Sequence, residues 1–120
     1  MIFGERSPPP RLLRLLFWAA ALFALVMALI PNPPQLPGEP SDKVEHMAAF
    51  ATLGLLGSFA YPRIRAWWLL LGLSAFGALI EVAQAIPELH RDSDPLDWIA
   101  DTVAAAIVLI AVAWWVRRRR

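Results

Sequence analysis

The sequence contains no cysteine. Disulfides, thiolate metal sites and cysteine nucleophiles are therefore excluded, while the redox compartment stays open. Charge is scarce: Asp, Glu, Lys and Arg make up 18% of the 120 residues, where about 25% is usual for a soluble domain. The net charge of +1 argues against a dedicated nucleic-acid binder. There is no GxSxG, no P-loop, no Rossmann glycine pattern, no HExxH and no internal repeat. What is abundant is apolar surface. Hydrophobic residues make up 58% of the chain, against about 45–50% in soluble proteins even with glycine counted. The length suffices for one compact unit, and the apolar shift runs through all of it, which points to a membrane.

Spanning a hydrocarbon core takes about 20 apolar residues in a helix. Four stretches come close, at about 12–30, 44–61, 66–86 and 96–116. They predict an all-α membrane protein, a four-transmembrane-helix bundle over 12–116 with a tail at 1–11 and a basic terminus at 117–120. None of the eleven prolines falls inside a proposed span. Proline lacks an N–H and clashes with the preceding helical turn, so it belongs in connections. The stretch 31–40 reads as an extended proline-rich loop. Ser41 or Asp42 can cap the second helix, with Glu45 placed for a capping box. The first stretch reads as a retained helix and not a cleaved signal peptide, because Leu29 and Ile30 precede Pro31 where small residues would be needed.

Basic residues set the expected orientation. With both termini inside, the inner side holds Arg6, Arg11, Arg14, Arg63, Arg65 and the arginines at 117–120, leaving Lys43 and Arg91 outside. Trp18, Tyr61, Trp67, Trp68, Trp114 and Trp115 fall near the same inner interface, and Trp98 near the outer one. The arginine run reads as an anchor on anionic lipid. Small residues on spans two to four, among them Gly54, Gly57, Gly72, Ser74, Gly77 and Ala104 to Ala106, suit close helix packing in lipid.

The remaining polar groups gather on the expected outer side. Asp42, Lys43, Glu45 and His46 open the second span. Glu81 and Gln84 lie near the end of the third, and His90, Arg91, Asp92 and Asp94 follow it. Asp97 and Asp101 lie in the first turns of the fourth. Spacings of three and four residues give these groups common faces. At about 1.5 Å per residue, His46, Glu81 and Asp101 sit roughly 6 to 9 Å below the helix ends. Ionisable groups at that depth are costly unless paired or hydrated, so they mark a candidate site. Expected pairings are Glu81 or Asp101 with His46, Lys43 or Arg91. A low dielectric favours neutral carboxyls and shared protons, the state that general acid–base chemistry uses. Each residue also has a plainer reading. Asp42 and Asp97 can cap helices, Lys43 can snorkel, and His46, Glu81 and Asp101 can bond between helices. His46, Glu81, Asp97 and Asp101 offer nitrogen and oxygen ligands, yet no ligand motif accompanies them, and no metal or other cofactor is assigned.

Two motifs resemble those of the VanZ-like family of small bacterial integral membrane proteins. The first is Asp42-Lys43-Val44-Glu45-His46-Met47-Ala48-Ala49-Phe50, followed by Leu53-Gly54. It is similar to the family's D-K-x-x-H-x-x-x-F element. The second starts at Glu81-Val82-Ala83-Gln84, passes Pro87 and Arg91, and reaches Asp97-Trp98-Ile99-Ala100-Asp101-Thr102. It is similar to E-x-x-Q, a loop arginine, then D-x-x-A-[ND]-T. The resemblance marks Asp42, Lys43, His46, Phe50, Glu81, Gln84, Arg91, Asp97 and Asp101. Asp101 stands where many relatives have Asn, and Ala105 near where glycine is common. The resemblance implies the bacterial inner membrane, a multi-pass topology and an association with glycopeptide (teicoplanin) resistance, without an assigned reaction.

Three functions compete. In the first, the chain binds or acts on a lipid-linked cell-envelope precursor at the outer leaflet. Glu81, His46 and Asp101 are then the catalytic candidates, and Asp42, Lys43, Gln84, Arg91 and Asp97 the substrate-binding ones. In the second, the chain is a non-catalytic membrane scaffold and the same residues knit the bundle. The third, a small transporter subunit, lacks the acid in span one that small multidrug exporters carry. Membrane lipid is the expected partner throughout, and nucleic acid is not.

Overall fold

The computed structural model describes residues 10–30, 42–87 and 95–119, with the side chains of Asp42 and Lys43 outside that description. The described chain is all-helical: α1 (Pro10–Leu29), α2 (Asp42–Ala60), α3 (Ala66–Gln84) and α4 (Pro95–Arg118). Observed ends lie within two residues of the expected ones. Pro10 and Pro95 each open a helix, a position where the missing N–H costs nothing. The proposed cap at Ser41 and the loop 31–40 lie outside the described residues. α3 ends through tightened turns, with Ala85 N–H donating to the Val82 carbonyl at 3.2 Å and Ile86 N–H to that of Ala83 at 3.1 Å, just ahead of Pro87.

α1, α3 and α4 are long and apolar enough to cross a membrane, and α2 carries a shorter apolar stretch, Val44–Ala60. Leu15, Leu22, Phe23, Leu79, Val82, Ile107 and Ile110 are 62–71% exposed. A water-soluble monomer seldom leaves so many large apolar side chains this far open to solvent, and lipid is their natural environment.

The helices run up, down, up and down. Phe17 on α1 packs on Gly57 near the end of α2, where an added Cβ would lie 3.1 Å from its ring. A Cβ on Gly54 would lie 3.4 Å from the Ala105 carbonyl, and Phe59 meets the Trp115 ring edge-on at 6.3 Å, so α2 and α4 run parallel. Ser74 meets Thr102 at 3.1 Å, and Gly77 meets Trp98, which makes α3 and α4 antiparallel. The α2–α4 and α1–α2 interfaces are the most extensive, which places α2 between α1 and α4. The core is a thin seam of Phe17, Ala28, Phe50, Leu53, Ala60, Leu73, Ile80 and Ala105. Close approach at glycine and alanine supplies the contact, as expected where lipid removes the hydrophobic drive between helices.

One end of the bundle gathers arginine and aromatic groups. Trp18 Nε1 donates to the Tyr61 hydroxyl at 2.7 Å, and the Arg14 guanidinium lies over the Tyr61 ring at 5.6 Å. Arg118 and Arg119 lie over Trp114 and Trp115 at 5.3 and 5.0 Å. These cation–π contacts keep the charges beside amphipathic rings. The opposite end, where α1 and α3 finish and α2 and α4 begin, is the polar end.

Candidate functional site at the polar end

On α3 the inward stripe is Leu73, Gly77, Ile80, Glu81 and Gln84. The spacing is that of one helical face, so Glu81 and Gln84 point into the bundle because they continue an apolar seam. On α4 the inward residues are Asp101, Ala105 and Leu109, each four apart. Glu81 is 8% exposed, Gln84 1% and Asp101 3%, and these are the buried polar side chains among the described residues. Acidic groups are rarely buried to this degree unless satisfied or functional.

Their levels follow from packing. Phe50 stacks obliquely on Phe76 at 5.8 Å and touches the position of Gly77. His46 is one turn beyond Phe50 on α2, and Glu81 one turn beyond Gly77 on α3, so the two share a level. Gly54 meets Ala105, so two turns toward the polar end His46 and Asp97 correspond, and one turn in, Asp101 stands level with Phe50. Glu81 thus shares a level with His46, His46 corresponds to Asp97 across the α2–α4 seam, and Asp101 lies one turn, roughly 6 Å, deeper than Asp97. His46 and Asp97 are half-buried. Asp42 and Lys43 begin α2, and the positions of their side chains lie outside the described residues, as does Arg91.

Gln84 Nε2 donates to the Ala28 carbonyl at 2.9 Å. Ala28 lies in the last turn of α1, where carbonyls lack intrahelical donors. Part of Gln84 is therefore committed to tying the end of α3 to the end of α1. Both acidic residues, His46 and Asp97 have interactions of their own. At the atom level, Glu81 Oε1, Gln84 Oε1 and Asp101 Oδ1 are buried acceptors outside any hydrogen bond among the described residues. No three His, Asp or Glu side chains among the described residues stand close enough to hold a metal ion.

A second polar contact, beside Asp101, was not read from the sequence. Trp98 Nε1 donates to the Ser74 carbonyl at 2.9 Å and lies 3.1 Å from Ser74 Oγ. Ser74 Oγ in turn meets Thr102 Oγ1 at 3.1 Å, and Thr102 Oγ1 donates to the Trp98 carbonyl at 2.9 Å. Trp98 was expected as an interfacial anchor, yet its indole nitrogen is turned onto α3. The available signal was the four-residue spacing of Trp98 and Thr102 and the lone serine in an apolar helix. This network ties α4 to α3 next to Asp101.

No family model matches this chain, and no curated protein and no solved structure matches it.

Proposed function

We propose that the chain is a four-span inner-membrane protein with both termini inside, whose polar end binds or acts on the headgroup region of a lipid-linked cell-envelope molecule at the outer leaflet. The observation that carries this reading is the burial of Glu81, Gln84 and Asp101 at one end of an otherwise apolar bundle. Placing such groups at membrane depth costs several kcal/mol in a low-dielectric surround, which a functional site would explain. Nine of the eleven basic residues fall on the side assigned as inner, which supports the orientation. The substrate class rests on the depth of the polar groups, which is that of lipid headgroups, and the VanZ-like resemblance adds only an association with the cell envelope. Glu81 and Asp101 are the acid–base groups in this reading, His46 a partner, and Lys43 and Arg91 the anion contacts. Asp42, Gln84 and Asp97 position the bound molecule.

A second reading is favoured by the Gln84–Ala28 and Trp98–Ser74 bonds. They show that polar groups at this end already tie helices together, as a non-catalytic scaffold requires.

Glu81→Gln and His46→Ala separate the readings. The site reading expects normal abundance, an unchanged melting temperature in detergent, and loss of the protein's effect on whatever envelope phenotype deletion of the wild-type protein reveals. A full effect in both variants at normal abundance sinks the site. A drop in melting temperature with a proportional loss of effect favours the scaffold.

A further inference from the structure

Of the four glycines described on the helices, Gly54, Gly57 and Gly77 each face a neighbouring helix closely. Gly72 does not: a Cβ there would meet nothing within 4 Å. A mid-helix glycine weakens a helix, and packing within the chain gives no reason for this one. Gly72 instead lies in a groove of about 510 Å³ between α1, α2 and α3, whose walls include Phe17, Trp18, Trp68, Leu73 and Phe76. The groove is almost wholly apolar. At the arginine end it adjoins a second hollow of about 500 Å³, with Tyr61 and Ile64 lining both, and Arg14 and Arg63 lining the second.

The rim is built to hold an anion. Arg14 Nε is aimed at the Ala60 carbonyl at 3.5 Å, and its guanidinium rests on the Tyr61 ring. That orientation leaves the two terminal nitrogens for the planar, two-point grip that guanidinium gives to phosphate. The Tyr61 hydroxyl accepts from Trp18, so its own proton points elsewhere. Arg63 is exposed in the turn between α2 and α3. A cationic rim above an apolar slot complements one class of molecule available in a membrane.

We propose that this groove is a binding site for an anionic glycerophospholipid, with the phosphate held by Arg14, Arg63 and Tyr61 and an acyl chain lying along α3 over Gly72. The site stands at the opposite end from the buried acids and is independent of their role. An acyl chain fits because lipid tails already bathe this face, so the groove selects by its rim and by the room at Gly72.

The test uses the full-length protein purified in detergent and titrated with phosphatidylglycerol or phosphatidylcholine, read by native mass spectrometry. Phosphatidylglycerol is expected to form a 1:1 adduct about tenfold more tightly than phosphatidylcholine, from two arginines near the headgroup. Arg14→Gln is expected to cut that preference to about threefold. Gly72→Leu fills open space, so it is expected to keep or raise the melting temperature while weakening the adduct by about tenfold. Equal binding of the two lipids overturns the proposal. So does an adduct that depends on Arg14 but survives Gly72→Leu, which would mean headgroup capture without the groove. If Gly72→Leu instead turns a dimer into a monomer and spares the lipid, the groove belongs to a second copy of the chain.

Discussion

Gly77 and Gly72 lie five residues apart on α3 with opposite surroundings. A methyl on Gly77 would stand 3.2 Å from Trp98 Cδ1 and 3.4 Å from Phe50 Cζ, and Trp98 is held by its bond to Ser74. The rings have little room to give. Gly77→Ala is therefore expected to lower the melting temperature, and Gly72→Ala to raise it, each by the equivalent of about 1 kcal/mol. Equal increases would mean that the Trp98–Phe50 contact is slack. Gln84→Leu removes the donor to the Ala28 carbonyl and should cost about 1 kcal/mol of stability in the same melt. No change would leave α1 held without that bond. Glu81 and Asp101 were legible in the sequence because an acid interrupts an apolar run. Gln84 was legible as a companion three residues on. What the pattern could not give was its destination. Periodicity says which face of a helix turns inward but not which neighbour waits there, and Gln84 reaches α1, whose end carries no polar side chain to advertise the contact.

α3 and α4 are joined by polar bonds as well as by shape. Trp98→Phe keeps the ring over Gly77 and deletes the indole donor. Combined with Ser74→Ala in a double-mutant cycle, it should reveal a coupling of about 1 kcal/mol between the two helices. A coupling near zero would leave the tie between the two helices to the Ser74 carbonyl, an acceptor that Ser74→Ala keeps. The helices themselves were readable to within two residues, since proline and apolar length together bracket them. Pro10 and Pro95 were assigned to connections and instead lead helices, because the first turn needs no N–H from them. The role of Trp98 was hidden for a different reason. An aromatic near a helix end suits the membrane interface and a helix contact equally well, and only the position of Ser74 on the facing helix decides between them.

At the scale of the molecule, the sequence predicts the alternation of direction, because each connection joins two helix ends on the same side of the bundle. It does not predict that α2 is flanked by α1 and α4, since four helices with similar small-residue stripes allow several arrangements. Orientation is tested most directly by single-cysteine labelling in a chain with no native cysteine. A membrane-impermeant maleimide is expected to modify Ser93→Cys and to spare Ser7→Cys in intact cells. The reverse pattern would turn the polar end to the inside and remove the outer-leaflet site with it.

The central place of α2 bears on how the protein is made. Its apolar stretch is the shortest of the four, and its most extensive partner, α4, leaves the ribosome after the other three. Until then the Gly54 face of α2 lacks the helix it packs on, although α1 and α3 are already made. Assembly thus completes late, and a chain stopped after α3 would offer that bare face to quality-control proteases. Substitutions between α2 and α4 should accordingly register first as shortened lifetime in the cell, before any property of the finished protein can be measured.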